Sequence, residues 1–233
     1  MIQNRLPSGS KVLDSLLEGG FEPEIISTIY GPAGSGKTNI AILCAVGCAR
    51  DTKKVIYVDT ESSFSVERLK QIAPDYEDVL DKLIILKPTN FEEQVSAFDK
   101  LKDIIKIDSD NIGIIIIDTI SMLYRLEMGK SEKIYEINKE LGKQMGWLSE
   151  IAVKKKIPVL MTNQVYANFE DKTKINMVGG DILKYWSKCL LELQIIEPGN
   201  RKAILRKHRS QPEGKEVMFK IVHNGIIGIK EEE

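Results

Sequence analysis

The chain has 233 residues, a formal net charge of −1, 42% hydrophobic and 29% charged residues. That length buries a full core without staples, and the composition is that of a soluble globular chain. A charge so near zero excludes polyanion binding by the molecule as a whole, so affinity for nucleic acid has to come from local basic patches.

No apolar run approaches the ~20 residues of a membrane span. The three cysteines, Cys44, Cys48 and Cys189, are odd in number and no signal peptide is recognisable, which points to a reducing cytoplasm. Cys44 and Cys48 share one face of an expected helix, but no further Cys or His completes a metal set, so they read as small buried side chains. No repeat or linker interrupts the chain, which reads as one domain over residues 1–230 with an acidic disordered tail at 231–233.

In chain order, Ser8–Gly20 predicts a short amphipathic helix ended by glycines. Ile25–Tyr30 is a β-branched strand, followed by a glycine-rich loop and a helix from Thr38 to about Arg50. Val55–Val58 and Leu83–Leu86 read as strands and Phe91–Ile105 as a helix. Ile112–Ile117 is almost wholly apolar, a strand buried on both faces. A long helix is expected over 133–155, its terminal Lys154, Lys155 and Lys156 suiting the helix dipole, and a strand over Ile157–Thr162. The alternation predicts an α/β fold with a doubly wound, mostly parallel sheet. Cys189–Ile196, Arg201–Lys207, Val217–Val222 and 226–230 read as antiparallel strands extending one edge, joined by Pro-Gly-Asn, Pro-Glu-Gly and Asn-Gly turns.

The strongest chemical signal is the P-loop Gly31, Pro32, Ala33, Gly34, Ser35, Gly36, Lys37 and Thr38, with Asn39 next in the helix. Glycines let backbone amides curl around phosphates without Cβ clashes, and the helix N-terminus favours the anion. The motif assigns Lys37 to the β- and γ-phosphates of ATP and the Thr38 hydroxyl to Mg²⁺. Asp118, ending the apolar strand, is the expected second metal carboxylate, acting through water. Glu61, just past the second strand, is the candidate that orients and deprotonates the attacking water. Asp59 either supports the metal shell or caps a helix at Ser65–Ile72. Gln164, after the fifth strand, is a candidate γ-phosphate sensor, or a plain turn residue.

These segments, with Ser8–Asp14, Tyr57–Glu61, Glu67–Leu69, Met161–Val165 and Gly179–Leu183, resemble the RecA/RadA recombinase superfamily over nearly the whole chain. The resemblance implies a RecA-like ATPase core, catalysis by Glu61 and a DNA-binding loop near 166–178 carrying Tyr166, Phe169, Lys172 and Lys174. A second DNA-facing loop falls near 125–131, with Arg125 and Lys130. The chain begins at the ATPase core, without the family's N-terminal helical DNA-binding domain or its Phe-x-x-Ala polymerisation hook. It therefore resembles the family's short archaeal paralogues. That implies an accessory role in homologous recombination and DNA repair, with ATP and DNA binding, very weak hydrolysis and no strand exchange. Implied partners are single-stranded DNA, the main recombinase RadA or other repair proteins, and further copies of the chain.

Full-length relatives place an acidic segment over the neighbour's ATP, where this chain has Lys207 and Arg209. Those cations resemble KaiC-like ATPases. As alternate residues of one strand they would share a face, acting on a neighbouring subunit's nucleotide, on DNA phosphate, or only as a solvated strand edge. A KaiC-like signalling ATPase acting on proteins without DNA is the alternative function.

Overall fold

The computed structural model describes residues 5–130, 134–167 and 175–229. Its elements in chain order are α1 (Lys11–Leu16), β1 (Ile26–Tyr30), α2 (Lys37–Arg50), β2 (Lys54–Asp59), α3 (Val66–Ile72), α4 (Tyr76–Leu80), β3 (Leu83–Leu86), α5 (Phe91–Asp108), β4 (Ile112–Asp118), α6 (Met122–Met128), α7 (Ile134–Lys155), β5 (Val159–Asn163), β6 (Val165–Ala167), β7 (Ile175–Met177), α8 (Gly180–Trp186), β8 (Cys189–Glu197), β9 (Asn200–His208), β10 (Glu216–Val222) and β11 (Gly225–Gly228). Nine strands form one sheet in the order β11-β10-β9-β8-β1-β5-β4-β2-β3. The six strands from β8 to β3 run parallel, and β9, β10 and β11 add antiparallel strands beyond β8.

The period-2 alternation of side chains explains why so apolar a strand as β4 fits here. Ile114 and Ile116 join the core with α1, α2 and α3, whereas Ile115 and Ile117 join the core with α5 and α7. Helix α2 is apolar nearly all round, from Ile40 to Ala49, because it is covered on all sides. Cys44 and Cys48 lie within it, buried, and burial pushes the Cys48 thiol up to about 12. Both therefore behave as small apolar side chains.

Several boundaries differ from expectation. The fifth strand begins at Val159 rather than Ile157 and takes in Asn163. Helix α5 continues through Asp108. Helices α4, α6 and α8 were not expected. The last begins at two glycines with positive φ, Gly179 (78°) and Gly180 (44°), and such a pair reads locally as a turn. The segment expected as a loop from Tyr166 is, at its two ends, an antiparallel ribbon in which Val165 pairs with Met177. Phe169, Lys172 and Lys174 lie outside the described residues, as does the acidic tail. Arg125 sits on α6 rather than in a loop, and Lys130 follows it in a turn; both are exposed. Among the described residues no helix is long and apolar enough to cross a membrane.

Candidate nucleotide site

The strand order gathers the candidate residues. Strands β1, β5, β4 and β2 are parallel neighbours, so their carboxyl ends lie side by side, where open α/β sheets bind ligands. The loop of residues 31–36 leaves β1, Gln164 leaves β5, Asp118 ends β4, and Glu61 follows β2. The register places Tyr30 opposite Asn163 and Asp59 opposite Asp118.

Helix α2 starts at Lys37 with Gly36 as its N-cap, at φ 105°. A side chain there would be strained, and an added Cβ would sit 2.8 Å from Ile221 Cδ1. The Lys37 ammonium donates to the carbonyls of Gly31 (2.8 Å) and Pro32 (2.9 Å) and to Gln164 Oε1 (3.3 Å). Burial lowers its pKa, and the nearby charges of Glu61 and Asp118 oppose that shift. Gln164 turns its Nε2 to Glu61 Oε1 at 3.3 Å, and the Thr119 hydroxyl donates to the same oxygen at 3.3 Å. One amide thus bridges the loop cation and the candidate base.

Asp118 is fully buried and accepts from three hydroxyls: Thr162 at 2.5 Å, Tyr57 at 2.8 Å and Ser63 at 3.2 Å. Asp59 is also fully buried, but it caps no helix. It accepts from the amides of Ser63 (2.9 Å) and Phe64 (3.1 Å), holding the turn that carries Glu61, while Ser65 caps α3. The root of the β6–β7 ribbon is tied to the same place. The Val178 amide donates to the Gln164 carbonyl at 3.1 Å, and Asn163 Nδ2 donates to the Val178 carbonyl at 2.8 Å.

The residues present suit a nucleotide with its metal. The buried Ser35 hydroxyl has no hydrogen-bond partner, and the space over Gly34 is open. A cleft of about 450 Å³ is lined by Ala33, Gly34, Gly36, Lys37, Thr38, Asn39, Glu61, Gln164, Arg201 and Ile221. Among the described residues no cluster of three His, Cys, Asp or Glu could hold a metal by itself. Mg²⁺ needs no such cluster: it takes one or two protein oxygens and leaves the rest to phosphate and water.

A Rad51 family profile matches residues 3–229. The chain belongs to the Rad51 family. The family resemblance and the fold class expected from sequence both hold. Among Rad51-family relatives, the chain is 42% identical over 228 residues to the DNA repair and recombination protein RadB of Methanobrevibacter smithii, covering 96% of each chain. It is 39% identical over 227 residues to RadB of Methanothermobacter thermautotrophicus, covering 96% of this chain and 95% of that one. A crystal structure of the RadB recombinase superposes with a TM-score of 0.80 at 38% identity, covering 97% of this chain and all of that one.

Arg201, which lines the cleft, and Arg68, which lies outside it, make contacts that no local motif announces. Arg201, on β9, donates to the Gly34 carbonyl, and Arg68, on α3, donates to Asn39 Oδ1 at 2.6 Å and to the carbonyls of Val222 and His223.

Lys207 and Arg209 do not share a face. Strand β9 ends at His208, so Arg209 lies beyond the paired strand. Lys207 Nζ donates to the Lys184 carbonyl at 2.9 Å, whereas Arg209 Nε donates to Glu22 at 2.5 Å. Both lie near the amino end of β8, across the sheet from the chain's own phosphate loop.

Glu22 is the centre of that far cluster: buried, it also accepts from Arg5 at 2.9 Å and from Ser210. Burial alone would raise its pKa, but the bonds from Ser210 and Arg209 and the charges of Arg209 and His208 outweigh it, and the carboxyl titrates below its ordinary value. A depressed carboxylate contributes stability that is full above the unfolded value, about 4.3, and is lost as pH falls through the folded one. Denaturant titrations should show Glu22→Gln costing about 3 kcal/mol at pH 7. The penalty should shrink as pH falls below about 4.3 and on through the depressed folded value, where the native parent loses the same charge. A penalty independent of pH would sink this account.

Proposed function

We propose that the chain is an ATP- and DNA-binding accessory protein of homologous recombination and DNA repair, one that hydrolyses ATP slowly and uses it mainly as a conformational ligand. The observation that carries this reading is the Gln164 bridge. Its amide touches Lys37 on one side and Glu61 on the other, and its backbone carbonyl anchors the β6–β7 ribbon. A terminal phosphate that draws Lys37 away breaks one half of the bridge and alters the root of the ribbon. This is an order-changing switch governed by a phosphate contact.

In this reading the loop amides and Lys37 hold the triphosphate, and Thr38 and water-mediated Asp118 hold Mg²⁺. Bound with the nucleotide, Mg²⁺ offsets charge on the β- and γ-oxygens. Glu61 accepts the proton of the attacking water, kept in place by Thr119 and Gln164. The names of the RadB relatives support the repair role, with the main recombinase RadA as the natural protein partner. The exposed Tyr166, on the ribbon, offers a ring for base stacking.

Fluorescence anisotropy with a labelled single-stranded oligonucleotide tests the reading. Affinity should rise when Mg·ATP is added and fall as salt increases, because phosphate contacts release counterions. No binding at low salt, with or without nucleotide, would reject the DNA-binding role.

A further inference from the structure

Three successive strands, the parallel β8 and the first two of the antiparallel extension, touch the phosphate loop. Each contact falls at one of the loop glycines. On β8, the Leu193 carbonyl stands 2.4 Å from where a Cβ on Gly31 would lie, and on β10, Ile221 closes off Gly36. Between them, on β9, Arg201 donates from Nε (3.2 Å) and Nη2 (3.0 Å) to the Gly34 carbonyl at the loop's turn. Its Nη1 donates to Gly199 in the β8–β9 hairpin at 3.1 Å, so the guanidinium is braced from its own strand. Gly34 itself is at φ 76° with open space where a Cβ would be. The two bonds from Arg201 hold that residue's carbonyl from outside the loop.

A loop with three glycines loses more conformational freedom on ordering than any other composition. If that entropy is lost only when the ligand arrives, it is subtracted from affinity; a loop already held in place avoids the loss. A guanidinium suits the task because its planar fork places two parallel donors on one acceptor, which an ammonium cannot do.

We propose that Arg201 is a positioning residue of the nucleotide site: it fixes the Gly34–Ser35 peptide from the C-terminal ribbon and so presets the phosphate loop. The antiparallel extension is thereby part of the nucleotide-binding apparatus, and a partner that displaces the ribbon loosens the nucleotide. The inference rests on the ATP reading above.

The test is isothermal titration calorimetry of the full chain with Mg·ATP and with Mg·tripolyphosphate, beside thermal melts without ligand. Losing a two-donor charge-assisted contact in a half-exposed setting should weaken Mg·ATP binding of Arg201→Ala about tenfold. Tripolyphosphate should lose the same factor, and the ligand-free melting temperature should hold. Arg201→Lys, with charge but no fork, should recover only part of the affinity, and it carries the test if the alanine variant unfolds. A parent protein that gives no heat with Mg·ATP removes the nucleotide reading itself. A parent that binds while Arg201→Ala binds equally well overturns the role of Arg201 alone. So does a loss confined to ATP and absent with tripolyphosphate, or full recovery by lysine.

Discussion

Lys37→Ala should reduce Mg·ATP affinity by about 10²–10⁴ while leaving the fold intact. The ammonium now spends its donors on the carbonyls of Gly31 and Pro32 and on Gln164. A bound triphosphate offers anionic oxygens in their place. Each charge-assisted bond contributes about 1.5–3 kcal/mol, and two of them give the stated factor at about 1.4 kcal/mol per decade. The fold should tolerate the change because burial already disfavours the charged lysine, so the ligand-free chain loses a costly group, and the three neutral acceptors it leaves stand beside the cleft that Lys37 itself lines. Calorimetry measures the affinity, and circular dichroism checks the fold. Binding within about threefold of the parent, less than 1 kcal/mol, would remove the phosphate site from the account. The same variant should lose any ATP stimulation of DNA binding, since the Gln164 bridge would lack its cationic end.

What was legible in the sequence is what local chemistry encodes. The phosphate loop needs glycines, lysine and a hydroxyl within a few consecutive residues, and the buried strand before Asp118 announces itself by four isoleucines in a row. The parallel order followed from strands alternating with helices. The contacts of Arg201 with the Gly34 carbonyl and of Arg68 with the His223 carbonyl were not legible, because those acceptors lie 167 and 155 residues away along the chain. No spacing rule reaches that far. The expectation that Lys207 and Arg209 share a face failed for a local reason. It took both as residues of one strand, but β9 ends at His208, so Arg209 lies beyond it and the two side chains find different partners. Arg209 had a stronger attraction available in Glu22, a buried carboxylate that no motif marks. Asp59 shows the same limit. A carboxylate at a strand end could serve metal or cap; the helix it was to cap is capped by Ser65, and Asp59 accepts from the backbone amides of Ser63 and Phe64.

Glu61→Gln should separate binding from chemistry more cleanly than any other single change. Glutamine keeps the size of the side chain and an oxygen that can accept from Thr119 and Gln164, so the geometry around the cleft should persist. What disappears is the ability to accept a proton. A positioned general base contributes about 10²–10⁴ in rate, so phosphate release in a single-turnover assay, with protein in excess over ATP, should slow by that factor. Mg·ATP affinity should stay within a few-fold of the parent or improve, because one negative charge leaves the neighbourhood of the terminal phosphate. The variant should also keep the nucleotide-dependent change in DNA affinity, since Lys37 and Gln164 remain. Unaltered turnover would show that another group activates the water. Loss of binding together with turnover would show instead that Glu61 serves the site by supporting the charge on Lys37, whose pKa lowering by burial its carboxylate opposes.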